Sequence, residues 1–258
     1  MTRPDHAAVL VLGGTAEARA LAAALVGDGR RVISSLAGRV RDPALPLGEV
    51  RVGGFSTTSL NPVAGLTGVE GLAAYLVDEQ VGAVVDATHP FAATISANAA
   101  AAATRTGTRL LRLQRPGWRE HPDADRWTWV ASVDEAVIAG TGSSRPFLTT
   151  GRQSLDRFAV WADKHATVRV VDPPDFPLPR RWRLLRSRGP YAFADELALM
   201  SGSGADLLVT KDSGGVHTAA KLDVARALGV RVVVVARPSA PSGAAEVATV
   251  SEVLTWLG

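Results

Sequence analysis

Four short polar segments of this chain hold the residue types that could do chemistry, and each follows an apolar run. They are Gly13-Gly-Thr15, Asp86-Ala-Thr-His-Pro90, Thr149-Thr-Gly-Arg152 and Thr210-Lys-Asp-Ser-Gly214. Runs such as Val9-Leu-Val-Leu12 and Ala83-Val-Val85 read as buried strands, and three of the four segments lead into helix-patterned sequence. Loops at the carboxyl ends of parallel strands share one edge of the sheet, and ligands of open α/β folds bind there.

The first segment has the makings of a phosphate cradle. Gly13 and Gly14 permit the backbone conformations and close approach that a pyrophosphate needs, and the helix that follows offers unpaired N–H groups. Thr15 adds a hydroxyl, and Glu17 falls in the first turn, where a carboxylate suits the helix dipole. The spacing departs from G-x-G-x-x-G, so a plain turn is the competing reading. Cofactor choice is argued from the second strand's end, about 20 residues on, where enzymes using the unphosphorylated dinucleotide place an acid. Here the chain reads Ile33-Ser-Ser-Leu-Ala-Gly-Arg39, without one. Ser34, Ser35 and Arg39 suit a 2′-phosphate and point to NADPH, against the alternative that Arg39 is an ordinary surface arginine.

His89 places an imidazole at a strand end, before a helix-starting proline, as hydrogen-bond donor, proton source or structural cap. Asp86 is expected to be oriented by backbone N–H groups, and Thr88 joins the cofactor set. In the fourth segment, Lys211 and Ser213 could hold a carboxylate or phosphate, with Gly214 beside them and Asp212 orienting the lysine or relaying a proton. Lys211, Asp212 and His89 are therefore the catalytic candidates, and Thr150, Gly151, Arg152, Ser213 and Gly214 the substrate-binding ones. Ordinary turns and caps are the bland alternative for both loops. A Ser-Lys hydrolytic pair is disfavoured, because no strained elbow or triad histidine accompanies it. His6, His121, His165 and His217 show no metal-ligand spacing, and no metal is expected.

Around these segments the chain must supply a scaffold. Its 258 residues fit two domains of ordinary size. Apolar content of 47% and charged content of 21% suit a globular protein. No apolar stretch approaches the ~20 residues that span a bilayer, so no membrane partner is expected. The amino terminus has no h-region, which makes the cytoplasm the expected location. Without cysteine there are no disulfides or thiolate sites. Net charge is only +3 and scattered, which argues against nucleic acid. Only three of the 28 cationic residues are lysine, so Lys211 in a loop hints at a need for a compact ammonium. Oligomeric state is open, with a monomer as the working expectation.

The elements alternate. Strands are expected at 9–12, 31–36, 51–54, 81–87 and 109–113, with helices where Ala18, Leu21, Ala22 and Leu25 share a face, ended by Gly27 and Gly29, and at 69–79 and 91–104. The Arg115-Pro-Gly-Trp118 turn suggests a boundary that separates residues 1–115 from 116–258. The second half reads as strands at 127–130, 147–150, 167–171, 207–209 and 230–236, with helices at 133–139, 155–164, 193–200, 216–228 and 251–257. The prolines of 172–179 demand an extended loop. The fold class is α/β, with two Rossmann-like domains, each a mostly parallel sheet flanked by helices.

The segments at 12–17, 34–39, 86–92, 150–153 and 210–214, taken in this order, resemble the precorrin-6A reductase family of cobalamin biosynthesis, and the resemblance runs from the first strand to about Arg237. It implies hydride transfer from NADPH to one unsaturated unit of a methylated, ring-contracted macrocycle, giving precorrin-6B, with the active site in the interdomain cleft. A family branch acts on the cobalt-bearing intermediate, often with NADH. The substrate would be a polycarboxylate tetrapyrrole, for which Arg112, Arg115, Arg119 and the arginines of 180–188 are candidate partners. Trp118, Trp127, Trp129 and Trp182 could face the ring or fill the core. A non-catalytic dinucleotide-sensing module is the other class kept open. A short-chain reductase of small carbonyls is set aside, since neither Tyr75 nor Tyr191 has lysine four residues on.

Overall fold

A computed structural model describes residues 7–38, 43–56, 67–241 and 243–258. The chain folds into two compact units, one of residues up to Arg115 joined by Ser239–Gly258, the other Pro116–Pro238. Crossing occurs at the Arg115-Pro116 turn. The terminal segment, expected with the second half, instead returns to the first unit, because β12 (Ala245–Val247) pairs with β5 (Arg109–Leu113).

In the first unit, β1 (Ala8–Leu12), β2 (Val32–Leu36), β3 (Glu49–Val52), β4 (Val81–Asp86), β5 and β12 form a parallel sheet of order β12-β5-β4-β1-β2-β3. Its core follows from period two along each strand. Val9, Val11 and Val85 face α1 (Ala16–Gly27) and α7 (Val250–Leu257) through Leu21, Leu25 and Val253. Leu10, Leu12 and Val84 face α2 (Gly68–Asp78) and α3 (Ala93–Thr106) through Leu72, Leu76, Ala99 and Ala102. Each buried leucine contributes roughly 1.5–3 kcal/mol. A strand apolar on both sides needs helices on both faces, which is why the runs are continuous rather than alternating.

The second unit repeats the plan. Strands β6 (Thr128–Val130), β7 (Pro146–Thr149), β8 (Thr167–Val170), β9 (Arg183–Arg186), β10 (Leu207–Lys211) and β11 (Arg231–Val235) form a parallel sheet of order β6-β11-β10-β7-β8-β9. Helices α4 (Val133–Ala139), α5 (Phe193–Ser203) and α6 (Ala220–Leu228) accompany it. Phe147, Leu208, Val232 and Val234 pack with Met200, Leu222, Trp118 and Trp127. Trp182 is buried as well, so three of the four candidate tryptophans serve packing.

Two expected helices differ. The one at 155–164 is a 3₁₀ turn, Asp156–Trp161, after another at Arg152–Ser154. Leu155, Phe158 and Trp161 are buried at spacings of three, which match three residues per turn and not 3.6. The one at 216–228 starts as a 3₁₀ turn, Val216–Thr218, behind Gly214 and Gly215, both at positive φ, and becomes α-helical only at Ala220. Strands β9 and β12 have no counterpart among the expected elements. Both are short edges with little or no buried apolar surface.

Candidate functional site

In the first unit the strand order reverses between β1 and β4, the kind of place where a crevice forms at the carboxyl edge. Gly13 has φ +112, and a Cβ there would lie 2.7 Å from the Ala87 carbonyl oxygen and 2.8 Å from Thr88 Cα. Only glycine fits. Thr15 caps α1, its Oγ1 accepting the Ala18 N–H at 3.1 Å and donating to Ala87 O at 2.9 Å. Its hydroxyl proton is therefore committed to the β4 loop, and what remains for an anion is backbone. Among the described residues, the N–H groups of Gly14, Thr15, Ala16 and Glu17 find no acceptor, as at any helix start awaiting one. Glu17 lies 2.8 Å from Arg115 Nη1, so the carboxylate at this end is neutralised by a neighbour. Such a loop fits a pyrophosphate.

At the end of β2 the two serines point to opposite faces. Ser34 is buried on the α1 side with no partner for its Oγ, and Ser35 accepts a hydrogen bond from Arg51 Nη1 at 2.7 Å. Arg51, absent from the sequence candidates, stands beside Ser35 because β2 and β3 pair in parallel with that register. Its guanidinium lies 3.9 Å from the Phe55 ring centroid and 5.1 Å from that of Tyr75, and burial lowers its pKa. The only cue in the sequence was a cation in a short third strand before Gly53-Gly54. Arg39 lies outside the described residues.

The β4 loop is organised by Asp86. Oδ1 accepts the Thr88 N–H at 3.1 Å and the Thr88 hydroxyl at 2.6 Å, while Oδ2 lies 3.4 Å from Arg112 Nε. Arg112 also meets Glu246 at 2.8 Å, so it is a buried structural partner and not a rim cation. Thr88, assigned to the cofactor, spends its hydroxyl proton within the loop. His89 is exposed at this edge, its Nδ1 accepting the Phe91 N–H at 3.3 Å. In the neutral ring that leaves the proton on Nε2.

The second unit brings its own pair of loops to one edge. Thr149 of β7 and Thr210 of β10 are directly paired, so Thr150-Gly-Arg152 and Lys211-Asp-Ser-Gly214 emerge side by side. Thr150 is buried and its Oγ1 has no hydrogen-bond partner. Gly151 has φ +83 in open space. Arg152 reaches Pro173 O at 3.4 Å and Asp175 at 4.0 Å. Lys211 is largely enclosed, and desolvation lowers the pKa of its ammonium. Asp212 is buried, its Oδ1 accepting the Trp118 N–H at 2.9 Å and its Oδ2 lying 3.5 Å from Arg237 Nε. Ser213 Oγ lies 3.3 Å from Thr218 Oγ1. Gly214 has a packing reason too, since a Cβ would come within 2.3 Å of the Pro116 carbonyl oxygen. Arg119 stacks on Trp129 at 3.8 Å. Arg183 and Arg186, from the arginine-rich stretch, lie on the β9 edge strand. No group of three or more metal-ligating side chains occurs among the described residues, and no helix there is long and apolar enough to cross a membrane.

Comparison with known proteins follows the same lines. A precorrin-6A reductase from Rhodococcus erythropolis is 48% identical over 252 residues, covering 97% of each chain. One from Mycobacterium tuberculosis is 48% identical over 254 residues, covering 96% of each. A cobalt-precorrin-6A reductase from Priestia megaterium is 28% identical, over 91% of this chain and 92% of its own. The solved structure of a CobK precorrin-6A reductase superposes with a TM-score of 0.86 at 38% identity, over 97% of this chain and 96% of that one. The family model described as precorrin-6x reductase CbiJ/CobK matches residues 8–258, and the chain belongs to that family.

Proposed function

We propose that this protein reduces precorrin-6A to precorrin-6B in cobalamin biosynthesis, with NADPH as the reductant. The observation that carries the cofactor half is the Gly13 loop, pressed against the β4 loop with four N–H groups that find no acceptor among the described residues, next to a β2 end that carries serines and no acid. An acid there would accept from a ribose 2′-hydroxyl; serine and arginine donate, which favours a 2′-phosphate. When bound, the nicotinamide supplies the hydride. Metal-free macrocycle is favoured over the cobalt form by the contrast between 48% and 28% identity to relatives bearing those names.

The chain's own residues position charges and move a proton. Gly13, Gly14, Thr15 and the first turn to Glu17 hold the diphosphate through backbone, while Thr88 keeps the neighbouring loop in shape. Ser35 and Arg39 form the 2′-phosphate end, with Ser34 buried on the opposite face of β2. Thr150, Gly151, Arg152, Ser213 and Gly214 take substrate carboxylates, for which a guanidinium fork and hydroxyls are suited. Lys211 pairs with a carboxylate or delivers the proton that the reduced ring needs, its lowered pKa easing proton loss toward neutrality. Asp212 holds that loop to Trp118 and Arg237, and His89, exposed at the β4 edge, is the second candidate, giving a proton only as the imidazolium and otherwise a hydrogen bond. Cytoplasmic residence accompanies this role.

The test is anaerobic mixing of the protein with metal-free precorrin-6A and either NADPH or NADH, following the pigment's absorbance. Rapid conversion with NADPH and slow conversion with NADH is the expected result. Turnover confined to the cobalt-bearing ring, or dinucleotide binding without turnover of any macrocycle, would refute the reading.

A further inference from the structure

Several buried or half-buried arginines among the described residues are matched by carboxylates, and Arg51, at the cofactor edge, is not. Arg112 meets Asp86 and Glu246, and Arg169 meets Glu196. Even the more exposed Arg31 has Glu49 and Glu79. Arg51 is half-buried, and among the described residues no carboxylate pairs with it. Its neighbours are neutral: the Ser35 hydroxyl at 2.7 Å, the Gly53 carbonyl at 3.1 Å, the Gly54 carbonyl at 2.9 Å and the rings of Phe55 and Tyr75. Its Nε is buried without a hydrogen-bond acceptor. A desolvated charge without a counter-charge is costly, so a site that keeps one has a use for an anion.

The position says which anion. Ser35 is 21 residues past Gly14, at the strand end where dinucleotide folds hold the ribose 2′ group. Because Ser35 Oγ accepts from Arg51, its own proton is left to donate. Two aromatic rings and two carbonyls fix the guanidinium, so the hydroxyl's orientation is set before any ligand arrives. Resting on the reading of NADPH as cofactor, we propose that Arg51 is the positioning and charge-supplying residue for the 2′-phosphate, acting through Ser35. Arg39 alone would then not account for the preference.

Calorimetry on the full chain distinguishes the possibilities, with NADPH, NADH and the fragment 2′,5′-ADP as titrants. Arg51→Met should weaken NADPH and 2′,5′-ADP by about tenfold or more, as loss of a charge-assisted contact does, and change NADH by less than about twofold. Arg51→Lys should recover part of the loss, and Ser35→Ala should shift the ratio the same way by less. Retained NADH binding certifies that a variant is folded. Should Arg51→Met fail that check, Ser35→Ala decides, an unchanged NADPH-to-NADH ratio overturning the proposal. In a folded Arg51→Met variant, a wild-type NADPH-to-NADH ratio overturns the Arg51 assignment and leaves NADPH standing. Absence of any NADPH preference in the wild type overturns both.

Discussion

The two units carry the same strand plan and opposite loop chemistry. Setting β1 against β7, β2 against β8, β3 against β9, β4 against β10 and β5 against β11 aligns the two sheets, with β12 and β6 at matching edges. In chain order β12 follows the whole second unit whereas β6 precedes the other strands of its own sheet, so the correspondence is hidden. After β1 comes a glycine turn and a 12-residue helix with a threonine cap; after β7 come a glycine with open space, Arg152 and 3₁₀ turns. β4 ends on a buried, paired Asp86; β10 ends on Lys211, whose pKa burial lowers. Backbone N–H groups at a long helix suit a diphosphate, and side-chain donors suit carboxylates. A shared scaffold thus leaves ligand class to the loops alone.

Substituting the equivalent glycines tests this contrast most severely. Gly13→Ala should abolish detectable cofactor binding, a loss of about 3 kcal/mol or more from a backbone clash added to positive-φ strain. Gly151→Ala meets no neighbour and should cost only about 1–2 kcal/mol of strain, with cofactor affinity unchanged. Fluorescence titration with melting curves separates the two. If Gly151→Ala harmed cofactor binding as much, the division of labour would be wrong.

Next comes the lysine. Lys211→Ala should slow macrocycle reduction by about a hundredfold, within the usual range for a proton donor, while leaving NADPH titration nearly unchanged. Since burial lowers this pKa, the ammonium is lost as pH rises through the lowered value, so kcat/KM should fall on the alkaline side before an ordinary lysine would titrate. The variant should lack that limb. For stability the sign is the reverse: between the lowered and ordinary values the folded state binds fewer protons than the unfolded one, so stability rises with pH. Lys211→Met should flatten that rise in urea melts. Collapse of NADPH binding in Lys211→Ala would instead assign this loop to the cofactor.

Two smaller effects sharpen the first unit. Arg39→Ala should weaken NADPH by about tenfold and NADH hardly at all, and equal losses would remove it from the 2′-phosphate site. Thr15→Ala should cost about 1 kcal/mol of stability through the lost α1 cap, with a modest drop in cofactor affinity, since the hydroxyl proton already goes to Ala87. A large affinity loss without destabilisation would mean that the hydroxyl, not the backbone, holds the anion.

Most elements were legible because their periodicity is strong: α1 buries Ala18, Leu21, Ala22 and Leu25, the residues its pattern selects. Sequence also exposed the glycine turn, the polar loops and the acid-free end of β2, since each is a local property of a few neighbouring residues. Tertiary structure alone decided the rest. Edge strands such as β9 and β12 exist only because a distant partner accepts their hydrogen bonds, which no local pattern announces. Arg51 stands beside Ser35 through a parallel register between segments 16 residues apart, and Trp118 reaches Asp212 across 94. Local composition determines what a loop can bind. Which side chains stand next to one another is set by strand pairing and burial, and those depend on the whole chain at once.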